Sequence, residues 1–543
     1  MTAVGARPPA RDGSVGRAAL LTGLLVAAGT GLGFVRDLVM AHRFGASSGT
    51  DAFLVAWTIP ETVSPLLIED AMALLMVPVV TRLLREPEGV RPLVASVLPR
   101  LAGALAAVAL LLVLAAPLLV DLLAPGLADP GPAARCVRLT AVTVLAFGVA
   151  GFMSATLRAH HRFGPPASIY VAYNLGILGM IAAFAAPMGI TSAALGVACG
   201  GLLMVAVQLP AFVRCLRART AVRRAAPRTV KAGEAATAVT AVTLAAAAPV
   251  VVYTLTRQAQ VFVERFLGSG LAAGSISHLN YAQKIGQVPM VASLLLVTVT
   301  FPSLARASAG GDLDQVRRRV ESDLVVVSAI VLYATACLVA LAPQVVALLF
   351  QHGRFTAADG ERTALVLRVY MLGVWGQAMV GVAARAFFAR ARPVWHPVGA
   401  MAAGLAVTAV LGAALVGAGG TAALAAANAA GITVAAVALL LLVRAKVAPV
   451  SLRAAGGDIA ALALAACVAC LAGLAATGGL PGPAVLVPSG ASPLTQAVGG
   501  AAVITAVYAA ALVPAVYGRS RAAGPLSSFT SIRRKTRESP REH

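Results

Sequence analysis

The sequence has few charged residues for its length. Asp, Glu, Lys and Arg make up 12% of its 543 residues, whereas soluble globular proteins carry about 25%. Aromatic residues are also scarce, at 5%, while 59% of the chain is hydrophobic and the mean hydropathy is +0.87. This composition excludes an ordinary soluble domain and indicates a protein that crosses a membrane several times.

The chain also lacks the motifs of common enzyme classes. It has no Gly-Lys dipeptide, which excludes a phosphate-binding loop of the Walker type and ATP hydrolysis by this chain. Its seven histidines show no metal-ligand spacing, and its six cysteines are scattered. Cys467 and Cys470 have redox-motif spacing, but they lie within an apolar run, where helix packing explains them better. We therefore predict no enzyme activity, no cofactor and no metal site.

Long apolar runs dominate what is present. We count 14 of them with the length of about 20 residues that a helix needs to cross a bilayer. They are rich in Ala, Gly and Val, which favour close contact between helices in lipid, and they lack the alternation of membrane β-strands. The predicted fold is an all-α membrane protein with about 14 transmembrane helices, which begin near residues 18, 51, 94, 135, 166, 190, 237, 272, 322, 363, 397, 421, 457 and 493.

The basic residues are unevenly distributed. If the N-terminus is inside, the inner segments and both tails hold about 33 of the 43 Lys and Arg residues. The outer connections hold Arg43, Arg135, Arg138, Arg265, Arg354 and Arg362. This asymmetry predicts that both termini are cytoplasmic, and the polar first 17 residues lead us to expect no removable signal peptide. The net charge of +22 then reflects topology and contact with anionic membrane lipids, not nucleic acid.

The two halves of the chain resemble each other. Residues 116–123 (APLLVDLL) match 342–349 (APQVVALL), and 77–82 (VPVVTR) match 301–306 (FPSLAR). Offsets near 224–231 residues predict two parallel six-helix repeats. We predict an N-terminal tail (1–17), an N-lobe (18–217), a basic linker (218–234), a C-lobe (235–446), two further helices (447–517) and a basic tail (518–543).

One charged pair lies inside the first apolar run. Arg36 and Asp37 fall within it, where a charge costs about 2.5–3.5 kcal/mol to insert and usually faces a pathway or a partner. Alternatively, Arg36 reaches the membrane interface while Asp37 pairs with a neighbouring helix. Because adjacent helical residues point in different directions, we expect no useful ion pair between these two. We expect Asp37 to share a helix face with Thr30.

Several motifs occur in order along the chain: LGFVRD (32–37), RFGA (43–46), TDAFLVA (50–56), IP (59–60), LAAGS (271–275), LNYA (279–282) and LFQHGRFT (349–356). Together they resemble the lipid II flippase family, MurJ or MviN, of the MOP exporter superfamily. The resemblance covers about residues 20–400, and the chain departs from the family at several positions. It implies two six-helix lobes plus two helices, and a flippase that moves undecaprenyl-diphosphate-linked peptidoglycan precursor to the outer leaflet of the bacterial plasma membrane.

The resemblance also implies cavity cations that grip phosphate oxygens. The family's other arginines are replaced here by Thr30, Ser64 and Pro65, and its arginine of the eighth span by Lys284, a point charge without the fork of arginine. The predicted substrate-binding residues are Arg36, Lys284, Asp51 and Arg257. For Arg257, a packing or interfacial role is the alternative, and for Asp51 it is capping of its own helix.

Acidic residues are candidates for gating and ion coupling. Those we select are Asp37, Glu61, Glu69 and Asp70, the last three in a span interrupted by prolines. Some family members hold sodium between spans seven, eleven and twelve. Because residues 394–443 contain no Asp or Glu, we do not expect that site here.

Other functions stay open at this point. One alternative is a related exporter of another polyprenyl-linked saccharide or of a small molecule. A second is a non-transporting paralogue that scaffolds cell-wall synthesis proteins. The predicted partners are the lipid-linked precursor, anionic membrane lipids and, on the scaffold hypothesis, those cell-wall proteins.

Overall fold

The computed structural model describes residues 12–84, 90–218, 232–389, 394–479 and 491–517, and all regular elements in these ranges are helical. The first half contains α1 (Asp12–Phe44), α2 (Ser48–Ser64), a π-helix (Pro65–Asp70), α3 (Ala71–Leu83), α4 (Arg91–Leu114), α5 (Ala116–Leu123), α6 (Gly131–Thr140), α7 (Val142–Ala159), α8 (Gly164–Ala167), α9 (Ile169–Met188) and α10 (Thr191–Ala218). The second half contains α11 (Ala232–Gly268), α12 (Ser275–Ala309), α13 (Leu313–Ala340), α14 (Ala342–Phe350), α15 (Ala357–Phe388), α16 (His396–Lys446), α17 (Leu452–Ala476) and α18 (Pro493–Tyr517).

The helices confirm a multi-pass membrane protein. Among the described residues, 11 helices are long and apolar enough to span a membrane. One of them is α16, whose 51 residues contain a break at Gly420, where φ is 55°, a value that favours glycine. Helices α11 and α12 have 37 and 35 residues but are not in that set. The count of 14 therefore stays a prediction.

The chain divides into two compact units. Unit 1 comprises Met1–Phe44 and Ala52–Leu255, and unit 2 comprises Gly45–Asp51 and Thr256–His543. The short segment Gly45–Asp51 thus packs with the second half of the chain, although it lies between α1 and the body of α2. The domain boundaries proposed from the sequence stay predictions.

Two prolines interrupt the second span within unit 1. Pro60 has no N–H to give to the carbonyl of Ala56, and the hydroxyl of Thr140 donates to that carbonyl at 3.4 Å instead. Pro65 begins the π-helix, a rare element that is frequent at functional sites. Gly151 lies directly against this π-helix, since a Cβ there would come within 1.8 Å of the Leu67 carbonyl oxygen.

The internal repeat is visible as a helix break that occurs once in each half of the chain, between α4 and α5 and between α13 and α14. Helix α5 begins after Ala115 and carries Pro117 at its start, and α14 begins after Leu341 with Pro343 at its start. These are the two segments that match in sequence. Proline near the first helical position fits because its missing N–H would have no helical acceptor there.

The two C-terminal helices pack on unit 2 through a small-residue interface. Ala465, Ala469 and Ile504 are buried in one cluster with residues of α13. The hydroxyl of Tyr508 donates to the carbonyl of Ala329 at 2.9 Å, and Tyr333 bonds to Thr505 at 2.7 Å. Helices α17 and α18 therefore form part of the folded unit.

We expect Gly151→Ala to destabilise unit 1, because the new methyl group would overlap the Leu67 carbonyl. Overpacking of this kind costs about 1–3 kcal/mol. Thermal unfolding of the purified protein in detergent measures the effect. Gly103→Ala is the matched control, since a Cβ there meets no atom within 4 Å. Equal melting temperatures for the two variants would contradict the close packing at Gly151.

Candidate functional site

Arg36 is buried in unit 1 and fully engaged. Its Nε and Nη2 donate to one carboxylate oxygen of Asp37 at 3.0 and 2.8 Å, and its Nη1 donates to the Asn174 side-chain oxygen at 3.3 Å. Its guanidinium carbon lies 4.5 Å from the ring centre of Trp57, which adds a cation–π contact. The expectation of no useful ion pair between Arg36 and Asp37 was wrong. The long arginine side chain folds back far enough to reach its neighbour.

Asp37 and Thr30, which we expected to share a helix face, have different surroundings. Thr30 is exposed, and its hydroxyl bonds within its own helix to the Val26 carbonyl at 3.1 Å. Asp37 is 6% exposed and uses Arg36 as its partner. Thr30 and Asp37 are two helical turns apart, so one can be exposed and the other buried although they lie on the same side of α1.

Asn174 is a site residue that sequence reasoning missed. Besides accepting from Arg36, it donates from Nδ2 to the carbonyls of Gly29 and Tyr170 at 3.0 and 2.9 Å. The amide thus ties α9 to α1 and orients the arginine. A polar residue in an otherwise apolar helix was the available signal, because buried amides need partners.

The gating candidates in the second span have different surroundings. Glu61 is partly buried, and its charge acts on Arg36 and Tyr173. Glu69 is exposed and accepts a 2.5 Å hydrogen bond from the Tyr170 hydroxyl. The side chain of Asp70 lies outside the described residues. Their roles in gating stay predictions.

Asp51 lies in unit 2 and caps another helix. Its carboxylate accepts from the backbone N–H of Gly274 at 2.7 Å, and from the N–H and hydroxyl of Ser277 at 2.8 and 2.5 Å. Ser47, not Asp51, accepts from the first turn of α2 through the Thr50 N–H, so capping of its own helix is excluded. A carboxylate at the start of α12 is stabilised by the free N–H groups and the dipole of that helix.

The two other predicted cations are less enclosed. Lys284 is partly exposed on α12, and in the described part of the chain its side chain has no ion pair or hydrogen bond. Arg257 is exposed on α11, which suits the interfacial alternative as well as a substrate contact. Their assignment to the substrate stays a prediction.

A second buried cluster, which we call the Glu264 cluster, was missed entirely. The Glu264 carboxylate accepts from the side-chain amides of Gln283 at 2.6 Å, Gln260 at 3.4 Å and Asn428. These residues join α11, α12 and α16, the helices of predicted spans seven, eight and twelve. An acid therefore does meet span twelve, although residues 394–443 contain none. No metal-binding group of His, Cys, Asp or Glu is found in the described ranges.

Arg265 is also placed differently from the sequence expectation. We assigned it to an outer connection, but it lies in the last turn of α11 and is only 1% exposed. The internal repeat could have pointed to both Glu264 and Arg265 in the sequence. Phe34-Val35-Arg36-Asp37 matches Phe262-Val263-Glu264-Arg265, at an offset within the range of the other repeats.

Comparison with solved structures defines the class of protein. A lipid II flippase MurJ in an inward closed conformation matches with a TM-score of 0.71 and 19% identity, over 90% of this chain and 98% of that one. An inward-facing MATE family multidrug transporter of the MOP superfamily matches at 0.61 and 13%, over 81% and 94%. The fold is that of these multi-helix transporters, not of an enzyme.

Within that class, the chain belongs to the lipid II flippase MurJ family, whose sequence profile matches residues 40–480. The lipid II flippase MurJ of Burkholderia cenocepacia is 26% identical over 375 residues, 66% of this chain and 70% of that protein. A probable lipid II flippase MurJ of Rhizobium meliloti is 28% identical over 373 residues, 66% and 67% of the two chains.

We expect Asp37→Asn to destabilise the protein, because it removes the anion that balances a buried Arg36. Breaking a buried pair from one side costs about 3–5 kcal/mol. Unfolding of the purified protein by denaturant or heat measures the loss. Asp121→Asn is the control, an exposed carboxylate in the same unit. Similar stability for both variants would show that Asp37 does not hold Arg36.

Proposed function

We propose that this chain moves undecaprenyl-diphosphate-linked peptidoglycan precursor, lipid II, from the inner to the outer leaflet of the bacterial plasma membrane by alternating access. The observation that carries the proposal is family membership over residues 40–480. The need for a protein is physical. A diphosphate headgroup cannot enter hydrocarbon unless polar groups replace its hydration.

Lys284 is the best-placed cation for the diphosphate. It is accessible on α12 and, in the described ranges, makes no ion pair that a phosphate would have to displace. Arg36 is different, because its donors are already used by Asp37 and Asn174. We propose that Lys284 makes the first contact with phosphate and that Arg36 contributes only if Asp37 releases it.

Asp51 is proposed as a gate residue rather than as a direct substrate contact. Three hydrogen bonds hold its carboxylate at the start of α12, all within unit 2. Releasing these bonds would free the N-terminal turn of α12, the helix that carries Lys284. Membrane potential or an ion gradient would drive the cycle, with Glu61, Glu69 and Asp70 as coupling candidates.

The proposed setting follows the positive-inside rule. Both termini would lie in the cytoplasm, where the basic linker and the tail of residues 518–543 would contact anionic lipid headgroups. These segments fall mostly outside the described residues. Cell-wall synthesis proteins are further proposed partners, because they would use the precursor delivered to the outer leaflet.

A second candidate function is export of a small cationic molecule. The observation that favours it is local: among the candidate site residues of unit 1, the acids Asp37, Glu61 and Glu69 outnumber Arg36, and the family arginines are replaced at Thr30, Ser64 and Pro65. The test uses proteoliposomes that contain the purified chain and are loaded with a cationic dye. Protein-dependent efflux of the dye at a rate that added lipid II does not change would favour this function.

We expect the purified chain in proteoliposomes to bring lipid II from the inner to the outer leaflet, where an impermeant enzyme that cleaves the headgroup detects it. Lys284→Ala should lower the initial rate about tenfold, because one charge-assisted contact is lost. Lys284→Arg should retain the rate, since arginine grips phosphate oxygens at least as well.

The control for this assay is Arg138→Ala, which removes an exposed arginine of unit 1. Vesicles with wild-type protein that expose lipid II no faster than protein-free vesicles would overturn the proposed function. Full activity of Lys284→Ala would leave the function standing and remove Lys284 from the mechanism. Complementation of a flippase-depleted strain with the same variants tests both results in cells.

A further inference from the structure

The repeat places two charged doublets at equivalent positions with opposite order. Arg36-Asp37 in α1 corresponds to Glu264-Arg265 in α11. All four residues are buried. The first doublet is closed on itself by an ion pair, whereas Glu264 is bonded to amides of other residues. Among these four residues, Arg265 is therefore the one whose hydrogen-bond partner has to be identified.

The arginine is buried with unused donors. The Nε and Nη1 atoms of Arg265 are inaccessible and have no hydrogen-bond partner among the described residues. Leaving a buried charged donor unsatisfied costs more than a hydrogen bond gains, so such a group requires an explanation. One explanation is that its partner is bound elsewhere in this state and returns in another.

Asp51 is the acid that fits this description. The α11–α12 turn is tight, since a Cβ at Gly268 would lie 3.3 Å from the Ile276 side chain. Segment Gly45–Asp51 packs onto the same turn, since a Cβ at Gly274 would lie 2.7 Å from the Ala46 carbonyl oxygen. The charge of Arg265 acts on the carboxylate of its neighbour Glu264 and also on that of Asp51. No ion pair within 4 Å joins the two side chains, which lie in described parts of the chain.

We propose that Arg265 is a positioning residue that receives the Asp51 carboxylate when the N-terminal turn of α12 releases it. In the present state Asp51 caps α12, and the Nε and Nη1 of Arg265 have no hydrogen-bond partner among the described residues. In the alternative state the cap is broken and the carboxylate pairs with the guanidinium of Arg265 along one of its two-donor edges, Nε with Nη2 or Nη1 with Nη2. The proposal rests on the proposed alternating-access function, because only a protein with two working states needs two partners for one carboxylate.

The exchange balances the two states energetically. Asp51 loses three donors when it leaves Gly274 and Ser277, a loss that would strand a buried anion without a replacement. Arginine suits the replacement because its planar fork offers two parallel N–H groups to a carboxylate. A ligand or potential then has to supply only the remaining difference between the states.

Amide hydrogen exchange of purified protein in nanodiscs tests the proposal, because the N–H groups of Gly274 and Ser277 exchange when Asp51 leaves them. Arg265→Gln removes the acceptor state, so exchange at these two amides should slow about tenfold, within the usual range of two-state coupling. Arg265→Lys should restore part of the wild-type exchange. Asp51→Asn should accelerate exchange, since the cap itself is weakened.

If Arg265 has only a structural role, the change in amide exchange at Gly274 and Ser277 will have the opposite direction. If Arg265 only stabilises unit 2, Arg265→Gln will loosen the turn and accelerate exchange, which overturns the proposal, as does unchanged exchange. Arg444→Gln, an exposed arginine of the same unit, is the control and should leave exchange unchanged.

Transport in proteoliposomes provides the second measurement. Arg265→Gln should lower the maximal rate of lipid II translocation about tenfold with little change in the half-saturating concentration, because the alternative state is reached less often. If wild-type protein moves no lipid II, the proposed function fails, while the exchange data still decide whether Arg265 competes for Asp51. If Arg265→Gln slows transport but accelerates amide exchange at Gly274 and Ser277, the proposed exchange of Asp51 between α12 and Arg265 is overturned, while the proposed function stands.

Discussion

A charged side chain among apolar helices is stable only when protein groups replace the water it has lost. Three charges illustrate the constraint. Arg36 is held by a carboxylate, an amide and an indole ring. Asp51 is held by a helix N-terminus, and Glu264 by three side-chain amides. In each case the charged residue and its partners lie on more than one helix, so these interactions link the elements that carry them.

The irregular backbone makes these arrangements possible. Pro60 frees a carbonyl that Thr140 then satisfies, and Pro65 starts a π-helix that packs against Gly151. Non-regular backbone is tolerated at membrane depth only where protein covers it. The second span therefore combines an irregular backbone with two acids, Glu61 and Glu69.

Sequence reasoning predicted the helical class and the repeated breaks, because these depend on local hydrophobicity and on matching segments such as 116–123 and 342–349. It selected Arg36 and Asp51 as candidates from motifs, and their roles stay predictions. It failed where a partner is remote in sequence. Asp51 and Ser277 are 226 positions apart, and Glu264 and Asn428 are 164 apart. Pairings of this kind depend on helix packing, and a neutral Asn or Gln within an apolar helix carries no sign of its partner. The error at Arg36 had another cause, because helix-face rules ignore how far a long side chain can bend.

The two repeats use the reversed doublets differently. In unit 1, Arg36 and Asp37 neutralise each other in an ion pair. In unit 2, side-chain amides satisfy Glu264 without neutralising it, and its carboxylate also feels the charge of the adjacent Arg265. Equivalent positions thus hold two residues that pair with each other in one repeat, and an acid that bonds to amides of other residues in the other repeat. Duplication therefore leaves one position free to diverge, since unit 1 links its helices through a neutral pair while unit 2 buries an acid held by amides beside an arginine.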